Sequence, residues 1–274
     1  MNRSLLALCL LFALAIPVGI LLFVPPYPQP LWYHEFADQR CIVCVPHALN
    51  VLSNLPFVLV GVWGLAFLAS PRSTAAFREP AERWAYWVFF AGIALTGFGS
   101  AYYHWHPDNP RLLWDRLPLA VAFMAFFAAI IAERVDLRAG LWLLVPLALL
   151  GAGSVMYWHW TELEGRGDLR PYFLVQFYPL AAMPFLLLLF PARYTRGGDV
   201  WGVIAWYAGA KGLEALDGVI YSAGQVVSGH TLKHLVAAVG AYMVLFMLQH
   251  RRAVSTSSGG AAKTSPLSAA RPTA

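Results

Sequence analysis

The chain has 274 residues, 59% of them hydrophobic and 12% charged. A soluble domain carries about 25% charged residues, so an ordinary soluble enzyme is excluded. The formal charge of +5 is small and is accounted for below by topology, so no nucleic acid partner is expected, and three cysteines are too few for a disulfide framework.

A bilayer core about 30 Å thick requires roughly 20 apolar residues per helix. Eight segments meet or approach that length: 5–24, 51–69, 84–104, 115–133, 140–158, 172–191, 200–217 and 231–249. The expected fold is therefore all-α, an integral membrane seven-helix bundle over residues 26–250 with one extra N-terminal transmembrane helix in front. The first apolar run, about 20 residues, exceeds the roughly 7–15 of a signal-peptide core, so residues 1–25 read as an uncleaved anchor. Residues 70–83, 134–139 and 192–199 connect helices on one side of the bilayer, and 159–171 form a loop on the other. Residues 251–274 are rich in Ser, Gly, Ala and Pro without apolar period and read as a disordered cytoplasmic tail.

Basic residues set the orientation. With the N-terminus inside, twelve of the nineteen Lys and Arg fall on cytoplasmic segments, which favours both termini in the cytoplasm. Cys9 reads as an apolar filler of the first helix. Cys41 and Cys44 form a CxxC followed by His47 in an outer loop, where a local disulfide, two free thiols and a minor metal site all stay open.

The informative residues are the polar ones in the apolar background, because ionisable groups inside a membrane are costly and commonly mark function. Ser100 and His104 in GSAYYHWH lie four residues apart, on one face of the third helix at its outer end. Asp115 in LLWDRLPLA opens the next helix, with Pro118 in its first turn, and the turn HPDNP returns it to the same side. His230 and His234 in SGHTLKH lie one turn apart at the outer start of the last helix. Each has an ordinary explanation alone: His104 as an interfacial residue, the histidine pair as chance spacing, Asp115 as an N-cap. Their shared depth favours a metal site. Three histidines leave the fourth position of zinc open for chemistry, a carboxylate can serve as general base, and a hydroxyl can steady an oxyanion.

GSAYYHWHPDNPRLLWDRLP together with SGHTLKHLVAAVGAY resembles the alkaline ceramidase family, within a wider group of seven-helix membrane hydrolases that includes the adiponectin-receptor-like proteins. The family pattern is a Ser four residues before a His, an Asp eleven after that His, and an HxxxH in the last helix. Ser100, His104, Asp115, His230 and His234 match every position, and Ser53 and Asn54 match a Ser-Asn pair opening the first core helix. The resemblance covers residues 33 to 250 and is to a bacterial-type member, which implies the bacterial inner membrane; the orientation set by the basic residues puts the site near its outer face. It implies Zn2+ as cofactor on His104, His230 and His234, Asp115 as the residue that activates the attacking water, and Ser100 as an aid to the tetrahedral intermediate of amide hydrolysis. In eukaryotic members an acidic N-terminal site binds calcium. The corresponding region here offers Glu35 and Asp38, with His47 where a Glu is expected, so calcium regulation is not carried over.

The expected activity is zinc-dependent hydrolysis of the N-acyl bond of ceramide or a related lipid amide, to a fatty acid and an amine. The implied partner is a membrane lipid substrate, with no obligate protein partner. The alternatives are an adiponectin-receptor-like receptor with mainly structural zinc, a lipid-remodelling acyl hydrolase or transferase, and a transporter, which would place its polar residues near mid-bilayer. Lys211, Glu214 and Asp217 share one face of the seventh segment, where mutual pairing is expected; Asp217 could instead orient a zinc-bound histidine, as could Ser53 and Asn54. His106 cannot share the face of His104 and reads as a loop residue; His34, His159 and His250 read as interfacial.

Overall fold

A computed structural model describes residues 15–254, and among them no β-strand occurs. The expected first segment lies partly outside that range; residues 15–23 of it are helical. The core comprises α1 (Ala48–Leu52) and α2 (Leu55–Ala69), α3 (Arg83–Trp105), α4 (Asn109–Arg134), α5 (Leu137–Leu163), α6 (Arg170–Leu189), α7 (Asp199–Ala215), α8 (Asp217–Gly224) and α9 (Gly229–His250). Among the described residues six spans are long and apolar enough to cross a membrane, the first being α1 and α2 together, Ala48–Ala69. The remaining core segment, expected over 200–217, is the 17-residue α7 followed by the short α8. The protein is thus a multi-pass all-α membrane bundle.

Boundaries differ from expectation where capping chemistry decides them. α4 starts six residues before Asp115, because Asp108 is its N-cap and accepts a 2.8 Å hydrogen bond from the Arg111 amide, with Pro110 in the first turn. Asp115 is therefore not a cap, and Pro118 is interior to the helix. α5 runs on to Leu163, past the expected 158. The single expected helix over 200–217 breaks at Leu216. Gly229 sits at that break, where a Cβ would come within 2.3 Å of the Leu213 carbonyl and 2.8 Å of the Asp217 Cα. Only a residue without a side chain lets α9 start this close to the α7–α8 junction.

α3 packs along α2 and α4, α4 also along α5 and α6, and α9 along α7 and α2. α4 is the most enclosed of the six spans, and its Ala120, Ala122, Ala125, Ala128 and Ala129 are buried. Small residues matter here because lipid gives helices no hydrophobic drive to associate, so close backbone approach must supply the contact. At the α3–α4 crossing a Cβ on Gly99 would lie 2.0 Å from the Trp114 carbonyl oxygen. Gly99→Ala must push the helices apart and is expected to cost about 1–3 kcal/mol of stability, checked by thermal unfolding in detergent. It should also lower any activity of the site, since Gly99 and Trp114 directly precede Ser100 and Asp115.

The end of the bundle opposite the histidines is closed by Arg251, whose side chain is fully buried. Its guanidinium pairs with Glu133 of α4, donates to the Ala76 carbonyl at 2.7 Å, and stacks on Tyr194 with 4.1 Å to the ring centre. Residues 252 and 254 hydrogen-bond to the 193–195 segment. The folded part therefore extends through Val254 instead of ending at 250; the remainder of the expected tail, 255–274, lies outside the described residues.

Candidate metal centre

Two helices bring the histidines together. His104 occupies the last turn of α3, and His230 and His234 the first turns of α9. Ser228 caps α9 by accepting from the Thr231 amide at 3.1 Å, and the Asp217 carboxylate accepts from the His230 amide at 2.7 Å and the Ala37 amide at 3.0 Å. All three imidazoles are buried, at 1%, 4% and 5% exposure, although helix ends at a membrane surface ordinarily expose histidine. Their ring centres form a near-equilateral triangle with sides of 4.8, 4.8 and 4.9 Å. One ring nitrogen from each lies within 4.8 Å of the other two.

The donor set fits zinc. The Nε2 atoms of His104 and His230 are 3.2 Å apart, and tetrahedral zinc with Zn–N bonds of about 2.0–2.1 Å separates its ligand nitrogens by about 3.3–3.4 Å. An N–H···N bond between two neutral rings can also give this distance, so the third ring decides more. The Ser53 hydroxyl donates to the Asn50 carbonyl at 3.1 Å, and its oxygen lies 2.8 Å from His234 Nδ1. That network assigns the proton to Nδ1 and turns the His234 Nε2 lone pair free, toward the other imidazoles. Ser53→Ala removes this orientation and is expected to weaken zinc binding about 10- to 100-fold, measured by competition with a chromophoric chelator.

Of the residues expected to support the ligands, Ser53 touches one. Asn54 hydrogen-bonds the Asn50 carbonyl at 2.7 Å and makes no hydrogen bond to a histidine ring among the described residues. Asp217 acts on the backbone of His230 and not on its ring: it begins α8, and its two oxygens accept from the His230 and Ala37 amides. The expected Lys211–Glu214–Asp217 face is accordingly split: Glu214 pairs with Lys211 and, across the helix interface, with Lys233. His106 is exposed at the C-cap of α3, beside Arg111. His34, expected at the interface, is held between the Tyr103 hydroxyl and the Asn109 side chain at 2.9 Å each, and burial pushes its pKa down. In the region where calcium would be sought, both Asp38 oxygens hydrogen-bond Arg40 at 2.7–2.8 Å, and that guanidinium holds the carboxyl below the usual aspartate range.

Two contributors were missed. Asn50 positions Ser53 through its carbonyl and accepts from the Thr231 hydroxyl at 2.7 Å. It shares a helical face with Ser53 and Asn54 at spacings of three and four, a signal that was present. Phe36 lies against His104 and His230, with ring centres 4.6 and 4.4 Å away; it belongs to an irregular segment, where no periodicity marks it.

Ser100 lies one turn before His104 on α3, and Asp115 lies on the adjoining α4. Asp115 is not one of the clustered ligand atoms. Both residues and His234 line a cavity whose other walls are mostly apolar, including Phe57, Phe89, Ile93, Phe126, Met183 and Val203. The fold and site together define a multi-pass helical membrane protein with a buried three-histidine cluster at one end of an internal apolar cavity. The chain matches no model of a known protein family and no curated protein.

Proposed function

We propose that the protein is a zinc-dependent membrane amide hydrolase of the alkaline ceramidase kind, cleaving the N-acyl bond of ceramide or a related lipid amide. The observation that carries this reading is the convergence of three buried imidazoles, a carboxylate and a hydroxyl on the polar end of an apolar cavity. The cavity provides a place for an acyl chain, with the amide at the level of Ser100 and Asp115. A zinc ion on the histidines would supply Lewis acidity toward the amide oxygen and make water nucleophilic at neutral pH. Asp115, free of the ligand cluster, is the base that takes a proton from the attacking water and returns it to the leaving nitrogen. The Ser100 hydroxyl donates to the carbonyl oxygen as negative charge grows there. One C–O bond forms, the C–N bond breaks, and the products are a carboxylic acid and an amine.

The test is release of fatty acid from ceramides of varied chain length in detergent micelles, with zinc measured on the same samples. Acyl release by zinc-bearing wild-type protein is expected. Protein that holds zinc yet releases no acyl chain from any lipid amide would replace this reading with a receptor whose zinc is structural. The orientation proposed from the basic-residue asymmetry, with both termini cytoplasmic and the site near the outer face of a bacterial inner membrane, has its own test. Reporter fusions after residues 110 and 225 should read outside, and those after 76 and 255 inside; the opposite pattern would put the site on the cytoplasmic face.

A further inference from the structure

Lys211 and Glu214 of α7, Lys233 of α9 and Tyr33 line the same end of the cavity as Ser100, Asp115 and His234. Glu214 accepts from both ammonium groups, with Lys233 Nζ at 2.5 Å, and from the Tyr33 hydroxyl at 3.5 Å. One lysine and one glutamate would suffice to tie α7 to α9. The second lysine adds an ammonium whose only ion-pair partner among the described residues is a carboxylate already engaged. Such a charge is costly within a membrane and commonly marks a ligand or ion site.

A third cation stands behind this wall. Arg116 is 4% exposed, its guanidinium stacked on Trp158, Tyr172 and Tyr33 at 4.5, 4.7 and 5.3 Å from the ring centres. One terminal nitrogen donates to the Gln29 side chain at 2.7 Å; the other is buried without a hydrogen-bond partner, and no carboxylate lies within ion-pair distance among the described residues. Tyr33 and Tyr172 separate it from the cavity they line. Glu214 is the one carboxylate ion-paired to the two lysines; Asp115 lines the same cavity, and Glu162, which accepts from the Gln29 amide at 2.6 Å and the Trp158 indole at 3.1 Å, neighbours Arg116 through the same two residues without pairing with it. Deeper walls are apolar: from Lys233 to Ala241 the α9 wall runs about 12 Å inward at 1.5 Å per residue.

We propose that the lipid amide carries an anionic group on its amine half, a carboxylate or a phosphate, which the Lys211–Glu214–Lys233 cluster receives, with Arg116 adding its charge from behind. This rests on the amide hydrolase reading for the placement of the scissile bond, with the acyl chain in the deep apolar part and the head group level with the lysines. Each lysine has three donors and only Glu214 as a partner, so donors remain for the incoming anion. Neutral ceramide would leave those lysine donors unpaired, and the preferred substrates are acidic lipid amides.

The experiment compares equilibrium binding of amides with one acyl chain and different amine halves to the full-length protein in nanodiscs, by displacement of a fluorescent fatty-acyl probe. The ligands are N-palmitoylglycine, N-palmitoyl phosphoethanolamine and neutral N-palmitoylethanolamine. At least one anionic ligand should bind about tenfold or more tighter than the neutral one, the scale of a charge-assisted hydrogen bond, and whichever binds tighter distinguishes carboxylate from phosphate. Lys233→Met and Lys211→Met should each lower the anionic-to-neutral ratio, and Glu214→Gln, which frees both ammonium groups, should raise it. Because the ratio is measured within each preparation, partial misfolding cancels, and any direct contribution of bound metal is common to all variants. A wild-type ratio near one, or a wild-type ratio retained in both lysine variants, would overturn the proposal. Preferential anion binding without hydrolysis of any amide would instead overturn the hydrolase reading and leave the anion site standing.

Discussion

Asp115→Asn is expected to abolish most amide hydrolysis while leaving the metal and the fold in place. The amide is nearly isosteric with the carboxylate, and Asp115 lies outside the group of ring nitrogens that converge on one point, so its replacement removes no ligand. The asparagine cannot take a proton from water at neutral pH. The loss should therefore equal the contribution of general-base catalysis, about 100- to 10,000-fold, or roughly 3 to 5 kcal/mol of barrier. Ser100→Ala removes one hydrogen bond to the carbonyl oxygen and should cost less if backbone amides or the metal share that task. The measurement is kcat on a lipid amide in micelles, with zinc content and thermal midpoint recorded on the same preparations. Activity surviving Asp115→Asn would keep the enzyme and remove this residue from its role.

His104→Ala and His234→Ala are expected to reduce the metal content from about one zinc per chain, as a three-histidine site implies, to almost none. Each replacement leaves two imidazoles of the three whose ring nitrogens lie within 4.8 Å of one another, too few to hold the ion tightly. His106→Ala is the control: it is two residues from His104 but its side chain is 72% exposed, and zinc should be retained. A ligand bound only by the folded state stabilises it, so a strong chelator should lower the thermal midpoint of the wild type and leave both histidine variants nearly unaffected. Zinc unchanged in His104→Ala and in His234→Ala would sink the assignment of these rings as ligands.

The membrane-spanning helices were legible because the bilayer sets a length and a polarity that a single segment must satisfy by itself. The same holds for Ser100 and His104, whose spacing of four places them on one face of α3 whatever surrounds them, and for His230 and His234 on α9. Local chemistry could have placed the start of α4 as well: Asp108-Asn109-Pro110 carries a capping aspartate and an early proline, and the apolar run beginning later obscured it. The break at Leu216 was less accessible, since the close approach it makes room for is that of Gly229 from a different helix.

What the sequence determined by itself is that the chain is a helical membrane protein with a few polar groups at helix ends on one side. Lipid imposes that condition segment by segment, and no tertiary contact is needed to read it. Only the tertiary structure decided which of those groups meet. It carried His104 to within 3.2 Å of a histidine 126 residues away, assigned Ser53 to orient His234 while Asp217 holds a backbone amide, set Phe36 against the imidazoles, and gave Glu214 a second lysine from α9. Apart from Phe36, which an irregular segment carries to the site, these are contacts between elements whose relative rotation and depth follow from packing at small residues such as Gly99 and Gly229, and that geometry is a property of pairs of helices, which no periodicity along one of them contains.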